Sequence, residues 1–212
     1  NMPPGKPEFV GGRLQQAREA RGLTAMALAD LLGVSRQAVS RYETGLDTPR
    51  PEVMEKICEL LKHKQGWFFI PIVNEDEPTI YARSMASTSK MARLRVTARL
   101  RWLWEIVLPY LREFVTLPTV NFPTLALPYD ILTLTSDSIE DAAANVRTFW
   151  GLQHGPISNV AWLLERNGAV VVRLETGDDT LDSMSCWHEG VPYIILGTEK
   201  SSAARARFDA AH

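Results

Sequence analysis

Arg36, Gln37, Ser40 and Arg41 fall within one short segment, Ser35 to Thr44, whose other positions include Ala38, Val39 and Tyr42. On a helix that spacing sets the polar side chains on an outer face and the apolar ones on the opposite side. Arginine and glutamine can each make two hydrogen bonds to one base edge, Arg to guanine and Gln to adenine. The chemistry open to this face is the reading of base edges in a DNA major groove. The helix N-terminus and its flanking loops suit phosphate oxygens. The competing reading is an ordinary solvated helix face.

The elements that must hold this face are legible around it. Apolar residues recur at helical spacing from Arg13 to Leu61: Leu14 and Ala17; Met26, Leu28, Ala29 and Leu32; Val39 and Tyr42; Val53, Ile57, Leu60 and Leu61. Gly22, Gly33, Gly45 and the Pro49/Pro51 pair separate them. Thr24 and Ser35 stand where N-caps belong, and Pro51 suits the first turn of a fourth helix. Ala29 is small where two helices cross, and Gly33 makes the turn between them.

This arrangement resembles the XRE/Cro-type repressor family over Arg13 to Leu61. The residues that carry the resemblance are the helix lengths, Gly33, Ser35, the run Tyr42-Glu43-Thr44-Gly45, and Pro49. The resemblance implies base contacts by Arg36, Gln37 and Arg41, and phosphate contacts by Thr44 and the backbone after Gly45. Thr24, Ser35 and Ser40 complete the candidate DNA-binding set. It also implies an internal ion pair between Arg18 and Glu43. Ala25 departs from the pattern, since many relatives carry there a glutamine that clamps phosphate. Such domains bind paired half-sites as dimers. Trp67 to Ile70 and Trp102-Leu103-Trp104 are candidates for a dimer surface or for intramolecular packing.

Charge is unevenly spread over the 212 residues, whose net charge is −2. Arg83 to Arg112 holds seven basic residues against the single acid Glu105. Glu113 to His212 holds six basic against thirteen acidic. A basic N-terminal half suits a polyanion; an acidic C-terminal half does not. Lys90, Arg93, Arg95, Arg99 and Arg101 form either a second phosphate contact or a face that docks on the acidic half. With 45% apolar and 23% charged residues, the composition is that of a globular protein.

Cys58 and Cys186 are too few and too far apart for a disulfide framework, which fits a reduced, cytoplasmic setting. Residues 1–5 lack the charged and apolar regions of a signal peptide. The apolar stretch Trp102 to Val115 is broken by Glu105, Pro109, Arg112 and Glu113, so it is too short to span a bilayer. No glycine-rich phosphate loop, G-x-S-x-G elbow or Cys/His nucleophile pairing is present. Asp178, Asp179 and Asp182 read as a solvated acidic loop.

Beyond the acidic linker Asn74 to Pro78, Ser84 to Phe114 reads as helical, with Pro109 expected to kink or end it. Leu117 to Pro128 reads as an extended proline-rich strap. A helix is expected over Asp137 to Phe149, capped by Ser136 or Asp137, and another over Pro156 to Asn167. Ala169 to Leu174 reads as a strand. Ser183 to Trp187 and Pro192 to Leu196 form a hairpin about Glu189-Gly190, and a last helix starts at Ser201.

The fold class expected is mainly α: a five-helix-type helix-turn-helix domain at 10–66, a helical connector and strap at 67–135, and an α+β domain with a small sheet at 136–212. The last of these resembles the ImmA/IrrE metallopeptidase-like family. The residues concerned are Phe149 to Leu152, Gly155-Pro156-Ile157, Val191 to Ile194, and Arg205-x-Arg207-Phe208-x-x-Ala211-His212. In that family such a histidine opens an H-E-x-x-H zinc motif. The sequence stops at His212, so the resemblance implies a metal ligand, zinc and peptidase activity only for a longer chain. As it stands, no cofactor and no catalytic residue are expected. The expected function is a DNA-binding transcriptional regulator of the repressor kind, a homodimer on a double-stranded operator. Its C-terminal part would sense a protein partner or small effector. The alternatives are a zinc metallopeptidase in a longer chain, or an antitoxin that represses its own operon.

Overall fold

A computed structural model describes residues 8–73, 80–82, 88–125, 127, 130–179, 181–198 and 208–211. The first unit stacks α1 (Gly11–Ala20), α2 (Ala25–Leu32), α3 (Arg36–Glu43) and α4 (Pro51–Leu61), closed by a 3₁₀ turn at Gln65–Phe69 that serves as the fifth helical piece. Leu14, Ala17, Leu28, Ala29, Leu32, Val39, Ile57, Leu61 and Phe68 fill its core. Thr24 Oγ1 accepts from Ala27 N at 3.1 Å and Ser35 Oγ from Ala38 N at 3.1 Å, so both are N-caps. Gly33 ends α2 in the left-handed region at φ 71°, where a side chain would strain the backbone. Val34 N then donates back to Ala29 O at 3.0 Å, which sets the sharp turn into α3.

The second unit is a mixed sheet in the order β1-β3-β4-β2, with β1 at Ile80–Ala82, β2 at Val170–Leu174, β3 at Ser183–His188 and β4 at Val191–Gly197. β3 and β4 form the expected hairpin, with Glu189 at φ 48° and Gly190 at φ 76°. Positive φ at both central residues matches the twist of paired strands. β1 runs antiparallel to β3, and β2 runs parallel to β4. One face of the sheet packs on α5 (Lys90–Trp102) and its helical continuation to Arg112: Val96, Leu100, Trp104 and Leu108 meet Met184, Cys186, Tyr193 and Ile195.

α5 continues through a π turn at Leu103–Val107 into α6 (Leu108–Arg112). Pro109 therefore does not end the helical run. A proline crowds the carbonyl one turn back and lacks an N–H. The widened turn before it, in which Leu108 N donates to Leu103 O, relieves that crowding. α7 (Ser136–Phe149) and α8 (Val160–Arg166) complete the unit, with a short helical turn at 208–211. The cap of α7 is Thr135 rather than Ser136 or Asp137. Thr135 and Ser138 exchange hydrogen bonds in a reciprocal capping box, which fixes the start one residue earlier. α8 starts later than Pro156, because Asn159 Oδ1 caps Trp162 N at 3.0 Å. Residues 117–125 of the strap form neither helix nor strand and are tied down by Asn121, which pairs with Asn167 through backbone and side chain at 2.9 and 2.8 Å.

The described part of residues 67–135, expected as a helical connector and strap, supplies β1 and the helix that covers the sheet. α5 also lies against α1 and joins the two units. Arg13 of α1 is fully buried. It meets Glu105 of the π turn at 2.7 Å and donates to Ile70 O, Pro71 O and Gln16 Oε1 at 3.0, 2.6 and 2.8 Å. Trp67 and Trp102 pack edge to face at 5.0 Å, and His63 stacks on Trp67 at 4.6 Å. Trp104 stacks on His188 at 4.2 Å. These aromatics, candidates for a dimer surface or for intramolecular packing, thus make contacts within the chain.

The basic face of α5 is likewise engaged. Arg95 donates to Thr176 O at 3.1 Å and to Arg21 O at 3.4 Å. Arg99 donates to Ala20 O at 3.2 Å and to Glu175 O. Both bridge the last carbonyls at the end of α1 to the loop after β2; of the other members of the expected phosphate-binding cluster, Lys90 and Arg93 are exposed and Arg101 is half-buried. Asp178 of the acidic loop accepts from Ser89 N at 2.9 Å, at the start of α5. The acidic linker Asn74 to Pro78, the expected start of the last helix at Ser201 and the expected ligand His212 lie outside the described residues.

Candidate nucleic-acid interface

α3 is held from behind. Val39 is fully buried, and Glu43 is gripped by Arg18 of α1 through two bonds of 2.5 and 3.0 Å. Arg18 also donates to Leu23 O at 2.7 Å, so one side chain joins α1, the start of α2 and the end of α3. The pair that the family resemblance implied is present, and it is scaffold. Gly11 lets α1 touch the end of α3, because a Cβ there would overlap Tyr42 O and lie 2.6 Å from Glu43 O.

The front of α3 is open. Arg36, Gln37, Ser40 and Arg41 are all exposed and share one face. Ser35 and Thr24 cap the two helix N-termini beside it, and their hydroxyl oxygens are already used by Ala38 N and Ala27 N. Thr44 turns its hydroxyl back onto its own helix, donating to Ser40 O at 2.9 Å. Ser35, Arg36, Gln37, Ser40, Arg41 and Thr44 thus lie along α3 and its two caps, Thr24 caps α2, and His212 is not among the described residues.

Asp47 is the residue that sequence reasoning missed. Its carboxylate receives Arg41 Nε at 2.5 Å and Nη2 at 3.0 Å. Hydrogen bonds from Arg41, joined by its positive charge, hold the Asp47 carboxyl below the usual carboxylate range. The pair is therefore intact at and above that range and is lost as pH falls through the lowered value. No periodic pattern relates positions 41 and 47; only the turn at Gly45 brings them together.

Among the described residues no cluster of three or more His, Cys, Asp or Glu side chains is arranged to hold a metal ion. Cys58 and Cys186 are free thiols, and burial pushes Cys186 up to about 11. No helix among the described residues is long and apolar enough to cross a membrane.

Residues 10–65 match the family described as helix-turn-helix domain. Similar proteins carry antitoxin or regulator names. Antitoxin PezA of Streptococcus pneumoniae is 31% identical over 69 residues, 32% of this chain and 41% of that protein. A putative HTH-type transcriptional regulatory protein of Methanocaldococcus jannaschii is 43% identical over 51 residues, 24% of this chain and 16% of that one. The SPbeta prophage-derived uncharacterized HTH-type transcriptional regulator YonR of Bacillus subtilis is 32% identical over 53 residues, 25% and 49% of the two chains. In each case the match spans less than half of the relative's length.

Proposed function

We propose that the chain is a sequence-specific transcriptional regulator of the XRE type that inserts α3 into the major groove of an operator. It binds as a homodimer and represses by occupying the promoter. The observation that carries this reading is the exposed face of Arg36, Gln37, Ser40 and Arg41 on a helix fixed from behind by the Arg18–Glu43 pair. The regulator names of its relatives agree with it. The second unit acts as sensor. Its apolar crevice of about 680 Å³, between the π turn, α6, the strap and β2, is the place for a small effector, with Arg112 and Arg166 at its edge.

The test is selection from a random duplex library, followed by titration of the selected site. Gln37→Ala is expected to weaken the selected duplex by roughly 1–3 kcal/mol and to relax one adenine position. Binding to unrelated DNA should stay the same. An unchanged affinity for the selected site would remove Gln37 from the reading set.

A second reading is favoured by the likeness to Antitoxin PezA: the chain neutralises a partner toxin and represses its own operon. Copurification of a stoichiometric small protein encoded beside it, with relief of that protein's toxicity, is the outcome this reading requires.

A further inference from the structure

We infer that Asp47 is a specificity-determining residue: it buttresses Arg41 side-on so that the free end of the guanidinium reads one guanine. This rests on the DNA-binding reading above and adds to it a residue outside the recognition helix.

The donor geometry supports it. Asp47 takes Nε–H and one N–H of Nη2, which form the side edge of the guanidinium. The end edge, made by Nη1 and the other N–H of Nη2, stays open. That edge is a planar fork matched to guanine O6 and N7. Arg41 is thus aimed by the pair and not consumed by it.

The carboxylate is itself held. Gly45 turns the chain at φ 73°, and Leu46 N and Asp47 N both donate to Arg41 O, at 2.9 and 3.2 Å. The loop folds back on the very residue it supports. An arginine already in one rotamer loses less freedom on docking. The negative charge of Asp47 also repels the DNA backbone, which discourages Arg41 from sliding onto a phosphate. Asp47 should therefore lower binding to unrelated DNA while sharpening the choice of base.

The experiment is the same library selection on the full chain and on Asp47→Ala, Arg41→Ala and, as a charge control, Glu55→Ala on the exposed side of α4. Arg41 and Asp47 are both about half-exposed, so these variants keep the fold, as a circular dichroism melt will register. The expected result is a guanine column, with any symmetry mate, that weakens by roughly tenfold in both Asp47→Ala and Arg41→Ala. Glu55→Ala keeps the wild-type motif. Asp47→Ala alone also binds random duplex more tightly and with a steeper salt dependence, because its freed arginine takes a phosphate.

A wild-type motif from Asp47→Ala overturns the inference and leaves the DNA-binding reading standing. So does a guanine column lost in Arg41→Ala alone. If the wild-type chain enriches no motif, the DNA-binding reading itself falls, and this inference with it.

Discussion

Glu105→Ala should lower the stability of the chain by about 3 kcal/mol, the usual consequence of leaving a buried charge without its partner. Arg13 is fully buried, and the Glu105 side chain is only 3% exposed. Once Glu105 is gone, the guanidinium keeps two backbone carbonyls and Gln16 but, among the described residues, has no other ion-pair partner. Chemical denaturation followed by circular dichroism measures the loss. The pair itself is isolated by a double-mutant cycle with Arg13→Met. Arg13→Met alone also strips donors from Ile70 O and Pro71 O, so it should cost at least as much. The double variant should be clearly less destabilised than the sum of the singles. Strict additivity would mean that packing of the two stems, and not their charges, carries the effect.

Gly11→Ala is the second large effect, expected at roughly 2 kcal/mol or more from overpacking. The added methyl would meet backbone atoms, Tyr42 O and the carbonyl group of Glu43, and not the movable end of a side chain. Backbone can yield only if α1 and α3 part. Parting them strains the Arg18–Glu43 bonds, which lie in the same contact. The variant should thus lose operator affinity beyond what its lower stability explains, since α3 is displaced from the position in which the proposed function sets it on DNA. A lowered denaturation midpoint with undisturbed affinity, measured where the variant is fully folded, would show that α3 keeps its place.

The first unit was legible because its signals are local. Thr24 and Ser35 cap the helices that begin just after them, Gly33 turns the chain at its own position, and Val39 marks the buried side of α3. The hairpin was legible for the same reason, through Glu189-Gly190. The hidden features depend on partners distant in sequence. β1 is three residues with no alternation to read, and only its pairing with β3 makes it a strand. Arg95 and Arg99 are plainly basic, but their acceptors are main-chain oxygens, which no residue pattern encodes. Trp67 and Trp102 could be read as sticky, yet nothing in their spacing says that they meet each other. The candidate site shows the same division. Its outer face was read from spacing alone, whereas Asp47 needed the closed turn.

The bridging of Ala20 O and Arg21 O, at the end of α1, by Arg99 and Arg95 has a consequence for the length of an operator. A reading head on a slack tether tolerates half-sites at many separations. Here the head is bolted to the sheet unit, so if the proposed homodimer joins through that unit, its α3 helices stand at one distance and one rotational phase. Inserting about five base pairs, half a turn of B-form DNA, would carry the second half-site to the far side of the duplex. Such an operator should hold one copy well and two copies badly, and inserting about ten should restore facing but not reach.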